Sequence, residues 1–205
     1  RTTTTRAAVA APVSMTTGEH RVALIFVRFQ NDPPPSDGMY ADAYAAMFTG
    51  SGSVRAYYLE NSFGQLAISG DAYGWYTIPR DSPPSCSPAE AFSWAHDAEM
   101  LASAAGVDLR PYDYRMYVFR SRGSCSDYGY GDYGYGVLEG PNPRRTLILT
   151  TSEKYFHAMA HEFGHMLSAA QSNALDCGGS QIANYDLCDV KESGDIFDVM
   201  TGFFL

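Results

Sequence analysis

The stretch His161-Glu162-Phe163-Gly164-His165 constrains this chain more than any other, because it sets two imidazoles four residues apart. Residues at i and i+4 share one face of an α-helix, so both rings reach a single metal ion if the stretch is helical. Zinc held there would lower the pKa of a bound water and polarise a peptide carbonyl. Glu162 is placed to pass a proton from that water to the leaving amine, so the pattern predicts peptide hydrolysis. The alternative is an amphipathic helix whose histidines only lie on its polar face.

The segments on either side favour a helix that ends in a turn. Residues 145–150 predict a short buried strand, and the helix is expected to start near Ser152, an N-capping residue followed by an acid. Residues 173–179 contain helix breakers and should turn the chain away. The predicted apolar surface of the helix is made of Phe156, Met159, Ala160, Phe163, Leu167 and Ala170.

A second stretch, 195–202, carries Asp-Val-Met-Thr-Gly after the helix. Together the two resemble the metzincin zinc metalloproteases, whose histidine-glutamate helix is followed by a tight turn with methionine. More narrowly, the chain resembles the gametolysin-like peptidase family, in residues 53–66, 74–79, the helix running on to Gly178, and 195–202.

This resemblance implies an α+β fold, the metzincin-like zinc protease fold, in which a twisted mixed sheet carries a backing helix and an active-site helix. It also implies a secreted zinc-dependent endopeptidase. In such a fold Met200 lies beneath the metal without binding it. An ordinary methionine that fills space in the core is the alternative for Met200.

The chain departs from the metzincin helix pattern, H-E-x-x-H-x-x-G-x-x-H, at two positions. Ser168 replaces the glycine, and Gln171 replaces the last histidine. A catalytic zinc normally takes three protein ligands, and an amide oxygen is a weaker donor than imidazole. Three readings stay open: Gln171 binds zinc through its side-chain oxygen, Asp176 supplies a ligand from the following loop, or the site is degraded.

His157 extends the histidine pair to i, i+4 and i+8. The outer two backbones are about 12 Å apart along a helix, whereas zinc binds nitrogen at about 2.0–2.1 Å, so one ion does not take all three rings. Only His161 and His165 enclose Glu162. The predicted ligands are therefore this pair with Gln171, while His157 supports them or is buried with a hydrogen bond.

Composition narrows the classes of partner. The chain has 205 residues, a formal net charge of −9 and no run of basic residues. A phosphate-binding surface needs clustered Lys and Arg, so neither nucleic acid nor an anionic membrane is expected as a partner. No stretch approaches the about 18 consecutive apolar residues of a membrane span.

Four cysteines predict two disulfides and an oxidising, extracellular compartment. Cys86 with Cys125 and Cys177 with Cys188 form the simplest of the three connectivities. Residues 1–18, rich in Thr, Ala and Pro, are expected to be an extended lead-in, and 19–205 one catalytic domain. The chain starts without an apolar leader, so a leader and a pro-segment are expected to have been removed.

Hydrophobic periodicity and breaker residues predict the other elements. The strands are expected at 21–29, at 65–78 (one strand or two, broken at Gly70 and Gly74) and at 112–119. The helices are expected at 40–48, at 54–62 with Ser53 as N-cap, and at 88–105, the backing helix.

Residues 126–136 form a low-complexity stretch of glycine and tyrosine. The resemblance suggests an exposed edge strand here that binds substrate as an added antiparallel strand. Glycines let a second backbone approach closely, and tyrosines give rigid, amphipathic contact area. Tyr130, Tyr133 and Tyr135 are therefore expected to bind substrate; a flexible surface loop is the alternative.

The sequence thus predicts a secreted zinc endopeptidase that hydrolyses a polypeptide or glycoprotein, with Glu162 as the base. The alternative, motivated by Ser168 and Gln171, is a catalytically inactive metzincin-like binding module with a degraded zinc site. Calcium is a candidate second cofactor, because the loop 186–195 is rich in aspartate, although it lacks EF-hand spacing.

Overall fold

Strands alternate with helices along the part of the chain that the structure describes. This computed structural model describes residues 16–35, 38–82, 88–120, 128–131, 144–150, 155–179 and 184–201. In chain order the elements are β1 (Gly18–Phe29), α1 (Met39–Phe48), α2 (Val54–Asn61), β2 (Leu66–Ile78), α3 (Pro88–Ala104), β3 (Tyr114–Arg120), β4 (Tyr128–Gly131), β5 (Arg144–Thr150), α4 (Tyr155–Met166), β6 (Asn173–Asp176) and β7 (Asp189–Glu192).

The apolar run near the start of the chain becomes β1, a strand that is buried on both faces. Side chains alternate across a strand, so Val22 and Leu24 lie on one face and Ala23 and Ile25 on the other. All four are fully buried. A strand covered on both sides needs apolar residues at every position, which explains why the run does not alternate with polar residues.

β1 belongs to a five-stranded sheet with the order β2-β1-β3-β5-β4. The pairs of β1 with β2, β1 with β3 and β3 with β5 are parallel, and β4 pairs antiparallel with β5. The sheet is therefore mixed, as the resemblance implies. Parallel neighbours require crossover connections, and helices fill several of them, so the architecture is mixed α/β, nearer to the α/β class than to the predicted α+β class.

Helices cover both faces of this sheet and divide the core into two parts. α1, α2 and α4 pack on one face, around buried side chains that include Met47, Tyr114 and Phe163. α3, the predicted backing helix, packs on the other face, where Trp94 contacts Phe29 and Phe119. The candidate site on α4 thus lies on the opposite side of the sheet from α3.

β2 runs as one strand through both of its glycines. A Cβ at Gly70 would overlap the backbone oxygen of Val22, and a Cβ at Gly74 would overlap that of Phe26. Both glycines therefore allow β1 to approach, and the register between the two strands shifts near Gly74. The sequence left open whether this segment forms one strand or two, and the structure has one strand. The glycines mark close approach of two backbones and not breaks in the strand.

Most predicted boundaries agree with the structure to within a few residues, and Ser53 caps α2 by accepting the Ala56 amide at 3.2 Å. Residues 173–179 differ from the predicted turn, because 173–176 form β6, which pairs antiparallel with β7. The predicted disulfide Cys177–Cys188 is confirmed and closes the loop between these two strands.

Several predictions lie wholly or partly outside the described residues: the pairing of Cys86 with Cys125, the helix start near Ser152, and most of the lead-in 1–18. Pairing of β1 already begins at Gly18, inside that lead-in. The division into a lead-in and a domain stays a prediction. In the described ranges, every helix is too short or too polar to traverse a lipid bilayer.

Phe63 follows α2 with a left-handed backbone (φ 54°) and a side chain that is 91% exposed. We expect Phe63→Gly to raise the free energy of unfolding by about 0.5–1 kcal/mol, because glycine carries no Cβ penalty in this conformation. Phe63→Ala, the control, also removes the phenyl ring but keeps the Cβ. Equilibrium urea unfolding compares them, and equal stability of the two variants would contradict the strain argument.

Candidate metal centre

α4 presents its histidines from a buried position. His161, Glu162 and His165 are 2%, 2% and 5% exposed. Phe163 anchors the opposite face of the helix, where its ring meets Tyr114 of β3 with centroids 5.1 Å apart. The spacing that predicts a shared face for the two imidazoles is thus realised in a helix fixed against the sheet.

The helix ends at Met166, earlier than the predicted apolar surface implies. Ser168 adopts a left-handed conformation (φ 77°), and the Ala169 amide donates to the Gly164 carbonyl at 2.9 Å. This pattern is a helix C-cap in which the left-handed residue is usually glycine. A glycine at position 168 would adopt this conformation without the penalty that a Cβ causes. Leu167 and Ala170 therefore lie beyond the helix instead of extending its apolar face.

Both imidazoles are oriented by backbone carbonyls. His161 Nδ1 lies 2.9 Å from the Val199 oxygen, and His165 Nδ1 lies 2.9 Å from the Ala169 oxygen. A carbonyl only accepts hydrogen bonds, so each Nδ1 must carry the hydrogen. In a neutral ring the lone pair then sits on Nε2, which is the arrangement that second-shell carbonyls impose on metal-binding histidines.

The two Nε2 atoms face each other at 3.1 Å. Two lone pairs at this distance repel unless a proton or a cation lies between them. Burial lowers the pKa of His161, and the neighbouring His165 and His157 lower it further, which disfavours the proton. A tetrahedral zinc with Zn–N distances of about 2.0–2.1 Å sets its nitrogens about 3.3 Å apart, so the observed pair fits a zinc ion.

Gln171 joins this pair after the helix. Its Nε2 lies 3.1 Å from His165 Nε2, and its Oε1 is buried without a hydrogen-bond partner. An amide nitrogen does not bind zinc, but rotating the amide by about 180° exchanges the two atoms and turns the oxygen toward the imidazoles. Among the described residues no three His, Cys, Asp or Glu side chains gather as a metal cluster, since the third group here is a glutamine.

The segment before Met200 ties the site to the rest of the fold. The Met200 amide donates to Asp198 Oδ1 at 2.7 Å, and the Met200 carbonyl accepts the Ser172 amide at 3.0 Å. The Met200 thioether packs on α4 at Gly164, where an added Cβ would overlap its sulfur. Met200 therefore lies against the helix turn between the two histidines, while its place beneath a metal stays a prediction.

Of the remaining predicted residues, His157 lies next to the site and Asp176 lies away from it. The His157 ring stacks on His161 with centroids 6.2 Å apart and lines a pocket of about 270 Å³ beside Phe156 and Val199. Asp176 lies on β6, its carboxylate accepts a hydrogen bond from the Gly178 amide at 3.0 Å, and its side chain is 53% exposed. The structure gives no support to Asp176 as a ligand.

The predicted substrate-binding tyrosines are only partly covered by the structure. Tyr130 lies in β4, which takes the outermost place in the sheet order of the described strands, and α4 packs beside β4. Tyr133 and Tyr135 lie outside the described residues.

The sequence reasoning missed three contacts around these residues: those of the Val199 and Ala169 carbonyls with the imidazoles, and the hydrogen bond that the Tyr58 hydroxyl donates to the Ala160 carbonyl of α4 at 2.6 Å. The carbonyls belong to the backbone and leave no trace in residue type. Tyr58 lies in one of the four stretches of resemblance, but no local pattern indicates its contact with α4.

Comparisons with known proteins give a likeness to solved structures only. No family model matches the chain, and no curated protein matches it. Among solved structures, the crystal structure of metalloproteinase-II from Bacteroides fragilis is similar, with 17% identity and a TM-score of 0.47 over 75% of this chain and 43% of that chain. The chain thus spans less than half of that structure. Family membership does not follow from this likeness, so the functional proposal rests on the geometry of the site.

Gly164 offers a test of the contact between α4 and Met200. We expect Gly164→Ala to lower the free energy of unfolding by about 1–3 kcal/mol, because the new methyl group must displace the buried thioether. Gly52→Ala is the control, since a Cβ at Gly52 would meet nothing within 4 Å. Urea unfolding in the presence of a chelator measures both variants, and an unchanged stability of Gly164→Ala would contradict the packing described here.

Proposed function

We propose that the chain is a zinc-dependent endopeptidase of metzincin-like fold, related to the gametolysin-like peptidases. The observation that carries the proposal is the pair of Nε2 atoms of His161 and His165, which face each other at 3.1 Å while both Nδ1 atoms are engaged by carbonyls. An ordinary polar helix face has no need of two lone pairs held together in a buried place.

The ligands in this proposal are His161 and His165 through Nε2 and Gln171 through Oε1. Bound zinc supplies Lewis-acid chemistry, since it makes a water acidic and polarises the carbonyl of the scissile peptide. Val199 and Ala169 keep both imidazoles in the tautomer that exposes Nε2. Met200 gives the site an apolar floor against Gly164.

Glu162 acts as the general base in this proposal. Its carboxylate takes a proton from water at the site and delivers it to the nitrogen of the leaving amine. The side chain is 2% exposed, so the transfer takes place in surroundings with little water. Low polarity strengthens the electrostatic interactions that stabilise charge during peptide hydrolysis.

The substrate is a polypeptide or glycoprotein that adds to β4 as a further strand. The position of β4 beside α4 and at the outer end of the described sheet order supports this, because an edge strand offers unpaired backbone groups. Tyr130 lies in that strand, and Tyr133 and Tyr135 are proposed to extend the same surface.

Secretion and a structural calcium ion in the segment 186–195 are part of the proposal. The Cys177–Cys188 disulfide supports an oxidising compartment. That segment, which includes β7, carries Asp186, Asp189, Glu192 and Asp195, which are oxygen donors of the kind that calcium prefers.

One observation favours a second function, a catalytically inactive metzincin-like binding module. Gln171 turns its amide nitrogen toward His165, and Oε1 has no hydrogen-bond partner. A site that stayed in this arrangement would hold zinc through two side chains only. Metal content and cleavage separate the two functions.

The first test combines a chelator with a change of the base. We expect the parent chain to bind zinc and to cleave an unfolded protein, and a chelator to abolish the cleavage. Glu162→Gln should lower kcat by about 10²–10⁴ while zinc remains bound, because Glu162 moves protons and is not a ligand. Glu60→Gln, an exposed change on α2, is the control. Cleavage that survives the chelator, or full activity of Glu162→Gln, would refute the proposal.

The third ligand is tested by Gln171→His. Because imidazole is a better donor to zinc than an amide oxygen, we expect this variant to bind zinc on the order of tenfold more tightly. Gln65→His adds an exposed histidine far along the chain and controls for adventitious zinc. Competition with a chromophoric chelator gives the affinities. Cleavage that appeared only in Gln171→His would eliminate the enzyme and leave the binding module.

A further inference from the structure

We infer that Tyr58 of α2 is a positioning residue for this zinc site, and that its hydroxyl fixes α4 at the place where both imidazoles and Gln171 meet one ion. The inference rests on the proposed function. Tyr58 acts through the backbone of α4, to which it is bound at Ala160.

The first contact is a partly buried hydrogen bond. The Tyr58 hydroxyl donates to the carbonyl oxygen of Ala160 at 2.6 Å. Burial raises the pKa of Tyr58, so the hydroxyl keeps its proton and remains a donor. Ala160 directly precedes His161, and in a regular helix its carbonyl also accepts the amide of Gly164. The bond therefore holds the helix turn that separates the two histidines.

The second contact places Tyr58 beside the methionine floor. A Cβ at Gly164 would lie 3.0 Å from the Tyr58 hydroxyl and 3.2 Å from Met200 Cε. Hydroxyl and thioether thus share the groove that the missing side chain of Gly164 leaves on α4. Any tilt of α4 away from α2 disturbs the contact with Met200 as well.

The Tyr58 ring has a separate role from its hydroxyl. It packs edge to face on Phe163 with centroids 5.2 Å apart and on Tyr57 with centroids 5.1 Å apart. Phenylalanine at position 58 preserves these ring contacts and removes only the donor. The packing of the core and the position of α4 are therefore separable by experiment.

The geometry of the ligands explains why the position of α4 matters. His161 and His165 move with α4, whereas Gln171 lies after the helix, next to Ser172, whose amide is bound to the Met200 carbonyl at 3.0 Å. A small shift of α4 changes the distances from both imidazoles to Gln171, although all three ligand side chains are still present. Zinc affinity is thus more sensitive to the hydroxyl than stability is.

The test measures zinc affinity and metal-free stability in Tyr58→Phe. We expect zinc binding to weaken by about tenfold, as changes in groups that orient metal ligands commonly do, and the urea midpoint of the metal-free protein to stay nearly unchanged. The probe is zinc alone, in competition with a chromophoric chelator. Tyr57→Phe removes the hydroxyl of the neighbouring tyrosine on the same helix, which is less buried than that of Tyr58, and is the matched control. Introducing 4-aminophenylalanine at position 58 restores a donor and should recover the affinity.

Each outcome decides the matter. Weaker zinc binding in Tyr58→Phe alone, with recovery by the amino analogue, supports the positioning role. Parent-like zinc affinity in Tyr58→Phe overturns it, whether or not stability falls, and leaves the proposed endopeptidase intact. A fall in stability with proportionally weaker zinc binding that the amino analogue does not reverse also overturns it. A parent chain that binds no zinc overturns the proposed function and, with it, this inference.

Discussion

Two hydrogen bonds from imidazole Nδ1 atoms to backbone carbonyls are the interactions on which this site depends. The Val199 and Ala169 carbonyls fix which nitrogen of His161 and His165 carries hydrogen, and so force the lone pairs of both rings toward each other. A histidine pair on a mobile surface helix would lower this repulsion by rotating its rings. Here burial on α4 and the two carbonyls prevent that rotation, so the proposed cation site would be preorganised before a cation binds.

The rest of the fold keeps those carbonyls in place. The Ala169 carbonyl follows from the C-cap at Ser168, which turns the chain back over the end of α4. The Val199 carbonyl comes from a segment far along the chain, which Asp198 and Ser172 hold through hydrogen bonds to Met200. The parallel sheet supports α4 from behind through Phe163 and Tyr114. Local capping and long-range packing thus each orient one imidazole.

Local periodicity was sufficient for the parts of this structure that are themselves local. A helix brings residues four apart together, so His161 and His165 could be paired from their spacing. The continuous apolar composition of β1 likewise predicted that this strand is buried. The course of β2 through Gly70 and the pairing of β6 with β7 depend on partners distant in sequence. The same holds for Tyr58, whose hydroxyl meets α4 through tertiary packing. Met200 was placed by resemblance to a family, since nothing in its neighbouring residues indicates the helix against which it packs.

The hydrogen bond between the Ser172 amide and the Met200 carbonyl also separates the histidine site from the β6–β7 hairpin, which lies between these two residues in the chain. The two ends of the segment between Ser172 and Met200 are joined by this hydrogen bond. The Cys177–Cys188 disulfide joins the segment again within the hairpin. Lengthening a loop whose ends are already joined costs little free energy, because the closure entropy rises only with the logarithm of length. The part of this segment between Cys177 and Cys188 is therefore the place where insertions or a transplanted recognition element would leave the geometry of the histidines untouched, because Val199 and Asp198, which hold His161 and Met200, lie outside it.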